Sequence, residues 1–432
     1  MLFAKRTFHL KTENAFNLSS HISHVESHYG RVLKLNLGEP DFPVPSHIKN
    51  EIKHQLDINN TRYCDPQGLI SLRKSIANHA SESRQIDVLP DQVVVFPGAK
   101  TPIGLAQQVY CNPGDEVIYP SPGFPIYESF IRYVNAIPVP LHLNEDDGFS
   151  FSCKALEGLI SSKTKLIFLN FPSNPTGCIA SIDQLKMIAD VIQDRCSNDV
   201  RIYSDEIYEN IIFDEQTHFS IASIPGMARR TIIVSGFSKS YAWTGGRIGY
   251  AIFPTKEEAA IFKNLNINYF SCVSPYNQEA ARFALESYDS TTSIKHMVDT
   301  FERRRDETWS RINQIPGLSC HKPEGAFYLF PNISRLCSNL GLIDFYSNLP
   351  EDKKEQSSPA TLFQMFALYE HQVAVLDRRS FGSIGSENKH YIRVSIASSS
   401  DALNHGLNKL QDASQDFVGL DRFLSQRPDL PK

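Results

Sequence analysis

The sequence lacks the cysteine and histidine patterns that hold metal ions or disulfide frameworks. Its eight cysteines form no C-x-x-C pair, and no group of cysteines and histidines has the spacing of a zinc site. His21, His24 and His28 have a loose helical spacing, which is more typical of the polar face of a helix than of a metal site. We therefore predict no metal site, and we expect free thiols in a reducing, cytoplasmic compartment.

The chain also lacks a basic excess and a long apolar run. Its 43 Lys and Arg residues against 48 Asp and Glu residues give a formal net charge of −5, which provides no strong positive field for nucleic acid. It has no run of about 18 apolar residues that could span a membrane, and residues 1–16 lack the apolar core of a signal peptide. We therefore expect neither nucleic acid nor membrane among its partners.

What the chain does contain is a series of apolar strands that alternate with helices. Apolar runs such as 93–96, 166–170 and 231–234 predict buried strands, and the amphipathic segments between the runs predict helices. This alternation is typical of an α/β fold in which a mostly parallel sheet is covered by helices on both faces.

The pattern of apolar strands and helices gives way to charged and polar segments near residue 295. A charged helix is predicted over 296–314, with the run Arg303–Arg305 on a solvated face, and the polar residues 345–361 predict an exposed insertion. The short strands around this insertion predict a smaller α+β domain. We therefore predict an N-terminal segment that packs with the small domain, a large domain, and the small C-terminal domain, over residues 1–45, 46–295 and 296–432 respectively.

One stretch, residues 234–250, places a single lysine among small and hydroxylated residues. Burial is expected there, and burial lowers the pKa of a lysine such as Lys239, so that its neutral amine can act as a nucleophile. Ser235, Ser238 and Arg247 could bind an anion beside it. A nucleophilic lysine next to a phosphate site is what pyridoxal 5′-phosphate (PLP) requires. The alternative is a buried loop with one lysine whose amine reaches solvent.

Several polar or small positions fall at the carboxyl ends of predicted strands. These are Gly98, Asn174, Asp205 and Lys239, and ligands of parallel sheets bind beyond such ends. The turn 98–100 also exposes backbone N–H groups at the start of a helix, which favours an anion. We therefore predict that these positions share one site, although each of them alone could have a purely structural role.

These motifs, in this order and spacing, resemble those of the class I/II aminotransferases, in the PLP-dependent aspartate aminotransferase superfamily of fold type I. The resemblance extends from Leu37–Phe42, the sequence LGEPDF, to Arg393. It implies a mostly parallel seven-stranded sheet sandwiched by helices, a smaller α+β domain, and a homodimer with shared active sites. It also implies transfer of an amino group between an L-amino acid and a 2-oxo acid by a ping-pong mechanism.

The resemblance further implies roles for individual residues. Lys239 would form a Schiff base with PLP and then act as base and acid, while Asp205 would keep the pyridine nitrogen protonated. Arg393 would bind the substrate α-carboxylate in bidentate fashion. The other implied cofactor residues are Gly98, Ala99, Lys100, Phe124, Asn174, Tyr208, Ser235, Ser238 and Arg247, with Tyr63 reaching the phosphate of the neighbouring subunit. The implied substrate-binding residues besides Arg393 are Gly38, Lys100 and Asn174.

The chain departs from the family pattern at a few positions. Gly236 stands where a phosphate-binding serine is common, so Ser235 or Ser238 is expected to replace that hydroxyl. Gly123 and Gly246 stand where larger residues are common, which predicts a roomier pocket.

Lys100 is the main sequence indication of substrate. In the branch that includes prokaryotic aspartate aminotransferases, a lysine at this position recognises a side-chain carboxylate, so aspartate or glutamate is the first prediction. Aromatic, basic and other neutral amino acids remain alternatives. So do a C–S β-lyase or a decarboxylase on the same scaffold, and a PLP-binding regulator without turnover. The regulator is disfavoured because only about 30 residues precede Leu35, too few for a DNA-binding domain of the kind such regulators carry.

Overall fold

A computed structural model of the chain describes residues 2–10, 14–382, 384 and 389–426. The helices are α1 Asn14–Tyr29, α2 Ser46–Asp57, α3 Ile70–Arg84, α4 Thr101–Tyr110, α5 Ile126–Tyr133, α6 Cys153–Leu159, α7 Ile182–Arg195, α8 Lys256–Tyr269, α9 Pro275–Glu286, α10 Tyr288–Ile312, α11 Ser334–Asn339, α12 Leu342–Ser347, α13 Glu351–Lys354, α14 Pro359–His371, α15 Ser400–Ala413 and α16 Phe417–Gln426. Across the described ranges, none of these helices is long and apolar enough to cross a membrane.

The strands are β1 Leu33–Lys34, β2 Val93–Pro97, β3 Glu116–Ser121, β4 Ile137–His142, β5 Thr164–Asn170, β6 Arg201–Asp205, β7 Thr231–Gly236, β8 Ile248–Ile252, β9 Tyr328–Leu329, β10 Val373–Ala374, β11 Leu376–Asp377 and β12 Ile392–Ser395.

In the described part of the chain, seven strands form one sheet in the order β2–β8–β7–β6–β5–β3–β4. The strands from β7 to β4 are parallel, whereas β8 runs antiparallel to both of its neighbours, β7 and β2. Since two antiparallel pairings restore the original direction, β2 points the same way as β7. The strands β2, β3, β5, β6 and β7 therefore all end at one edge of the sheet. The predicted mostly parallel seven-stranded sheet is confirmed.

Strand β2 shows how continuous apolar runs build a sheet with two covered faces. Successive side chains of a strand point to opposite faces. Val94 and Phe96 accordingly belong to one apolar cluster with Phe262 of α8, while Val93 and Val95 belong to another cluster, on the side of α3 and α9. Both faces exclude water, so polar groups of the sheet are accommodated at the strand ends.

The C-terminal part of the chain contributes a second, smaller β-structure. Strands β11, β12 and β9 pair antiparallel and bring Arg393, in β12, towards the large sheet. Strand β1 pairs in parallel with β10, with Leu33 opposite Val373. Near the start of the chain, the His21 ring bonds to the hydroxyl of Tyr369 in α14 at 2.8 Å.

Two predictions about the C-terminal part were wrong. Helix α10 exists, but Arg304 and Arg305 are 8% and 0% exposed rather than solvated. Their charges are paired, Arg304 with Asp41 at 2.7 Å and Arg305 with Asp214 at 2.9 Å. Residues 345–361 are not a wholly exposed insertion either, because they include α13 and end in the buried first turn of α14.

Candidate active site

A cavity of about 550 Å³ opens at the sheet edge where β2, β3, β5, β6 and β7 end. Most of the residues predicted from sequence to form one site line this cavity. Those lining residues are Gly38, Ala99, Lys100, Phe124, Asn174, Asp205, Tyr208, Ser238, Lys239, Arg247 and Arg393. The ends of β6 and β7 bring Asp205 and Lys239 to this edge, while Gly38 reaches it from the loop after β1 and Arg393 from β12 of the small sheet.

Lys239 enters the cavity from the turn that follows β7. Its Nζ donates a hydrogen bond to the carbonyl oxygen of Gly38 at 2.5 Å. The same nitrogen lies 6.0 Å from the ring centroid of Tyr208 and 5.7 Å from that of Phe327. The amine is thus held between a carbonyl group and aromatic faces, in a position where it can reach a molecule inside the cavity.

Asp205 is the last residue of β6 and is 6% exposed. The Tyr127 hydroxyl donates to its Oδ2 at 2.6 Å, and the Ile207 amide donates to Oδ1 at 3.4 Å. Burial raises the pKa of Asp205 to about 6, against the opposing effect of these hydrogen bonds and of the positive charge of Lys239. A cation placed against this carboxylate would replace the lost water and favour its ionised form.

Arg393 is connected to Asp205 through two asparagines. Its Nη1 donates to Asn174 Oδ1 at 2.9 Å, and its Nη2 donates to the carbonyl of Asn36 at 2.7 Å. The Asn174 amide donates to Asn170 Oδ1 at 2.9 Å, and Asn170 Nδ2 donates to the carbonyl of Asp205 at 3.0 Å. These hydrogen bonds link the guanidinium of Arg393 to the backbone of Asp205.

Aromatic side chains enclose the guanidinium of Arg393. Its Cζ lies 4.2 Å from the ring centroid of Tyr328 and 4.9 Å from that of Phe381. The Tyr328 hydroxyl is in turn bonded to the hydroxyl of Tyr208 at 2.8 Å. A partly desolvated, flat cation of this kind binds a carboxylate in a defined orientation.

The turn between β2 and α4 approaches Arg247 closely. Gly98 has φ +83°, a conformation that favours glycine, and a Cβ at this position would lie 2.2 Å from Arg247 Nη2, so a side chain there would displace the guanidinium. Arg247 Nη1 donates to the carbonyl of Thr244 at 2.8 Å. The start of α4, the guanidinium of Arg247 and the lining residue Ser238 together offer donors and positive charge to an anion.

Three predicted site residues do not line the cavity. Gly98 lies behind it, against Arg247. Ser235 donates its hydroxyl to Glu209 at 2.6 Å, within a buried ionic network that includes Arg84. Tyr63 is 88% exposed and does not line the cavity of its own chain. Of the two serines expected to replace the hydroxyl missing at Gly236, the structure brings Ser238 to the cavity.

The expectation of extra space beside two glycines was wrong. A Cβ on Gly246 would lie 2.2 Å from the indole of Trp243, and a Cβ on Gly123 would lie 2.2 Å from the carbonyl of Pro120. Neighbouring groups therefore already fill the volume that larger residues would occupy.

The cavity contains functional groups that sequence reasoning missed. Tyr127, Tyr328 and Phe381 contact Asp205 or Arg393, and Glu39, in the cavity wall, accepts a hydrogen bond from Thr244. Their side chains are ordinary core or loop types, which carry no signal before the partner across the cavity is known. Tyr127 is the exception, because its place one turn after Phe124 on a strand-to-helix junction points it at the same edge.

Comparison with known families agrees with this geometry. Residues 30–410 match the model of the family described as aminotransferase class I and II. The chain belongs to this family. The predicted family and the predicted transaminase class of enzyme are thereby confirmed.

Relatives of this aminotransferase match it over most of its length. It is 32% identical over 388 residues to an aspartate aminotransferase of Sulfurisphaera tokodaii, covering 88% of this chain and 90% of that protein. It is also 32% identical over 415 residues to a probable aspartate/prephenate aminotransferase of Aquifex aeolicus, covering 96% and 99%. The crystal structure of the aspartate aminotransferase from Rhizobium meliloti superposes with a TM-score of 0.85, at 28% identity, covering 96% of this chain and 99% of that one.

Proposed function

We propose that this aminotransferase binds PLP in the cavity, with Lys239 as the catalytic residue and Asp205 as the partner of the ring nitrogen. The observation that carries the proposal is the delivery of Lys239, Asp205 and Arg393 to one cavity by three separate strands. PLP supplies an electron sink for the carbanion formed at the substrate α-carbon. The residues that line the cavity fit the ring nitrogen, the ring hydroxyl and the phosphate of PLP.

Each end of the cofactor finds a matching environment. The desolvated carboxylate of Asp205 suits a protonated pyridine nitrogen, and Phe124 lines the cavity where an aromatic face would contact the ring. Tyr208 and Asn174 suit the ring hydroxyl. The phosphate would be held by the backbone of residues 98–100, with Ser238 and Arg247, where the close approach of Gly98 to the guanidinium leaves no room for a side chain.

The protein residues divide the remaining work. Arg393 orients the substrate by binding its α-carboxylate, and the rings of Tyr328 and Phe381 keep water from the faces of the guanidinium. With the carboxylate fixed, Lys239 Nζ removes the proton from the α-carbon as a general base and delivers a proton as a general acid. The amino group leaves the donor in one half of the cycle and joins a 2-oxo acid in the other.

We further propose aspartate or glutamate as the amino donor. The support is Lys100, which lines the cavity with its Nζ 5.5 Å from the ring centroid of Phe124, and the similarity to two proteins named as aspartate aminotransferases. The carboxylate of Glu39 also lines the cavity. A basic donor is therefore included in the test below.

The test of the chemistry compares the protein with Lys239→Ala. The unsubstituted protein should bind PLP, absorb in the near-visible range, and convert donor plus 2-oxoglutarate into 2-oxo acid plus glutamate. Lys239→Ala should lose nearly all turnover because the proton-transferring amine is gone, while Lys295→Ala, an exposed lysine of α10, should behave as the unsubstituted protein. Release of pyruvate and ammonia without glutamate would support a β-lyase, and release of carbon dioxide a decarboxylase.

The test of substrate class uses a donor panel of aspartate, glutamate, phenylalanine and lysine. The acceptor is 2-oxoglutarate or prephenate, except that glutamate is paired with prephenate or oxaloacetate because glutamate and 2-oxoglutarate give no net reaction. Aspartate or glutamate should have the highest kcat/KM. Lys100→Met should lower kcat/KM for the dicarboxylic donors by about tenfold to a hundredfold, as expected for loss of one charged contact, and should spare phenylalanine. A higher value for phenylalanine or lysine in the unsubstituted protein would contradict the proposal.

We also propose a homodimer with shared sites, located in the cytoplasm. Tyr63, 88% exposed on the surface of one chain, supports a role at the site of a second copy. The eight cysteines are all free thiols, which suits a reducing compartment. The proposed division of the chain is an N-terminal segment, a large PLP-binding domain and a small domain over 1–45, 46–295 and 296–432.

A further inference from the structure

Arg378 is a buried cation beside the active-site cavity. It is 4% exposed, and its guanidinium spans two segments of the chain. Its Nη2 donates to Ser121 Oγ at 2.9 Å, while Nη1 donates to the carbonyls of Gly382 at 2.9 Å and Phe381 at 3.3 Å. Among the described residues, no carboxylate lies within salt-bridge distance of it, and Glu128, which is nearby, pairs with Arg132. Burial lowers the pKa of Arg378 to about 10, against the opposing effect of neighbouring groups that include Asp377 and Glu128.

The two segments that Arg378 joins both contribute to the wall of the cavity. Ser121 ends β3, and the chain from there leads directly to Phe124, which lines the cavity. Phe381 also lines the cavity, and its ring centroid lies 4.9 Å from Arg393 Cζ. The amide of Gly123 donates to the carbonyl of Phe381 at 3.0 Å, so the two segments are in direct contact.

The turn that carries Phe381 is fixed at its start by a different residue. Asp377 Oδ1 accepts hydrogen bonds from the amide of Ser380 at 3.0 Å and from its hydroxyl at 2.6 Å. The far end of the turn, at Gly382, is held by Arg378. Among the described residues, the other hydrogen bonds at this end of the turn are those from the Gly123 amide to the carbonyl of Phe381 and from Ser121 Oγ to the carbonyl of Ile384.

An apolar residue would fill the place of Arg378 without the cost of desolvating a charge. A guanidinium, by contrast, carries five N–H donors in a rigid fork and can hold two separate segments at once. Its burial here is therefore explained by the connection it makes.

We propose that Arg378 is a positioning residue that holds Phe381 over the guanidinium of Arg393, and thereby sets the affinity of the enzyme for the substrate carboxylate. The proposal rests on the carboxylate-binding role of Arg393. A loosened Phe381 admits water to Arg393, which weakens carboxylate binding in the ground state and the transition state alike. Such uniform loss of binding raises KM and leaves kcat nearly unchanged.

Steady-state kinetics of Arg378→Met and Arg379→Met test this. Arg379 is the matched control, because it lies in the same turn and also donates to carbonyls, of Ser357 at 3.0 Å and of Glu355, away from the cavity. Arg378→Met should raise KM for the amino donor at least about tenfold, with kcat changed less than about threefold. Arg379→Met should match the unsubstituted enzyme. Arg378→Lys should give an intermediate KM, because one ammonium group cannot span both segments.

A double-mutant cycle with Phe381→Leu identifies the route of the effect. If Arg378 acts through Phe381, the rise in KM for the double variant should be clearly smaller than the product of the two single effects. Should Arg378→Met fail to fold, Ser121→Ala removes the acceptor of Arg378 on β3, together with the hydrogen bond from Ser121 to the carbonyl of Ile384, and should raise KM in the same direction by a smaller factor.

An unchanged KM for Arg378→Met or Ser121→Ala, equal effects of Arg378→Met and Arg379→Met, or multiplicative effects in the cycle would each overturn the proposal. A lack of transamination by the unsubstituted protein would instead contradict the proposed function, so the two failures are distinguishable.

Discussion

Asp205 shows how one residue can be costly for the fold and useful for the site. Its carboxylate is almost fully buried, and its bonds to Tyr127 and Ile207 do not make up for the lost water, since its pKa still rises to about 6. The difference from the ordinary value of 3.8 corresponds to about 3 kcal/mol. A bound cation of the right shape would recover this free energy, which favours a protonated ring nitrogen as the partner.

A pH-dependent difference in stability follows for Asp205→Asn in the cofactor-free protein. Because the pKa is raised in the folded state, ionisation penalises folding as the pH rises from about 4 to about 6, and the penalty is absent below about pH 4. At pH 8 the free energy of unfolding of the variant, measured by urea unfolding, should therefore exceed that of the unsubstituted protein by up to about 3 kcal/mol. This difference should vanish near pH 4. The same variant should bind PLP more weakly. An equal difference at both pH values would contradict this account.

Serines 235 and 238 show what the sequence can and cannot predict at the residue scale. Both lie just before Lys239, and the sequence predicted that one of them would donate its hydroxyl to a bound anion. Side chains in a strand alternate between two faces, but the sequence does not say which face is the cavity. Ser235, still in β7, points to Glu209, whereas Ser238, beyond the strand, reaches the cavity.

Helix α10 illustrates the same limit for a whole element. The charged sequence of this segment correctly predicted a helix. The prediction that its arginine run would face solvent was wrong. Periodicity shows which side chains share a face, but not that Asp41 and Asp214, far away in sequence, lie against it. Arg305 also bonds the carbonyl of Pro323 at 2.6 Å and lies over the ring of Phe213, so it ties α10 to two distant segments.

Replacing two arginines of α10 that are only two positions apart should therefore have very different effects. Arg305→Met should lower the free energy of unfolding by about 1 to 3 kcal/mol, because it removes the hydrogen bonds from a buried guanidinium to Asp214 and leaves the carbonyl of Pro323 without this donor. Arg303→Met, on the exposed face of the same helix, should change it by less than about 0.5 kcal/mol. Urea unfolding of the two variants under one set of conditions measures both values. Similar losses would mean that the ion pair of Arg305 carries little of the stability.

At the scale of the molecule, the location of the site was predictable and its lining was only partly so. Parallel strands deliver their carboxyl ends to one edge, and this rule alone brings Asn174, Asp205 and Lys239 together. The aromatic wall around Arg393 was not predictable, because Tyr328 and Phe381 reach it only through the pairing of β9 and β11 with β12, which are distant in sequence. The masking of Gly123 and Gly246 by neighbours likewise depends on tertiary contacts.

The exposed Tyr63 leads to a prediction about the assembly. If the sites are shared, each site takes Lys239 from one subunit and Tyr63 from the other. A dimer of one Lys239→Ala subunit and one Tyr63→Ala subunit therefore holds one site in which both residues are intact. Refolding equal amounts of the two inactive or weakened variants together should restore about one quarter of the activity, since about half of the dimers are mixed. The pair Lys239→Ala and Asp205→Asn is the control, because both residues belong to one cavity and no intact site can form. Recovery in the control, or none in the first pair, would argue against shared sites.

The reversed strand β8 has a consequence for how this enzyme can vary. Residues 237–247 leave the sheet edge after β7 and return to the same edge at β8, where Gly236 faces Gly249. A parallel strand in that place would have carried Arg247 to the opposite side of the molecule. The length of the connection therefore determines how far the amine of Lys239 stands from the guanidinium of Arg247. In natural variants, the identities of the residues between Lys239 and Arg247 should change far more readily than the number of residues between them.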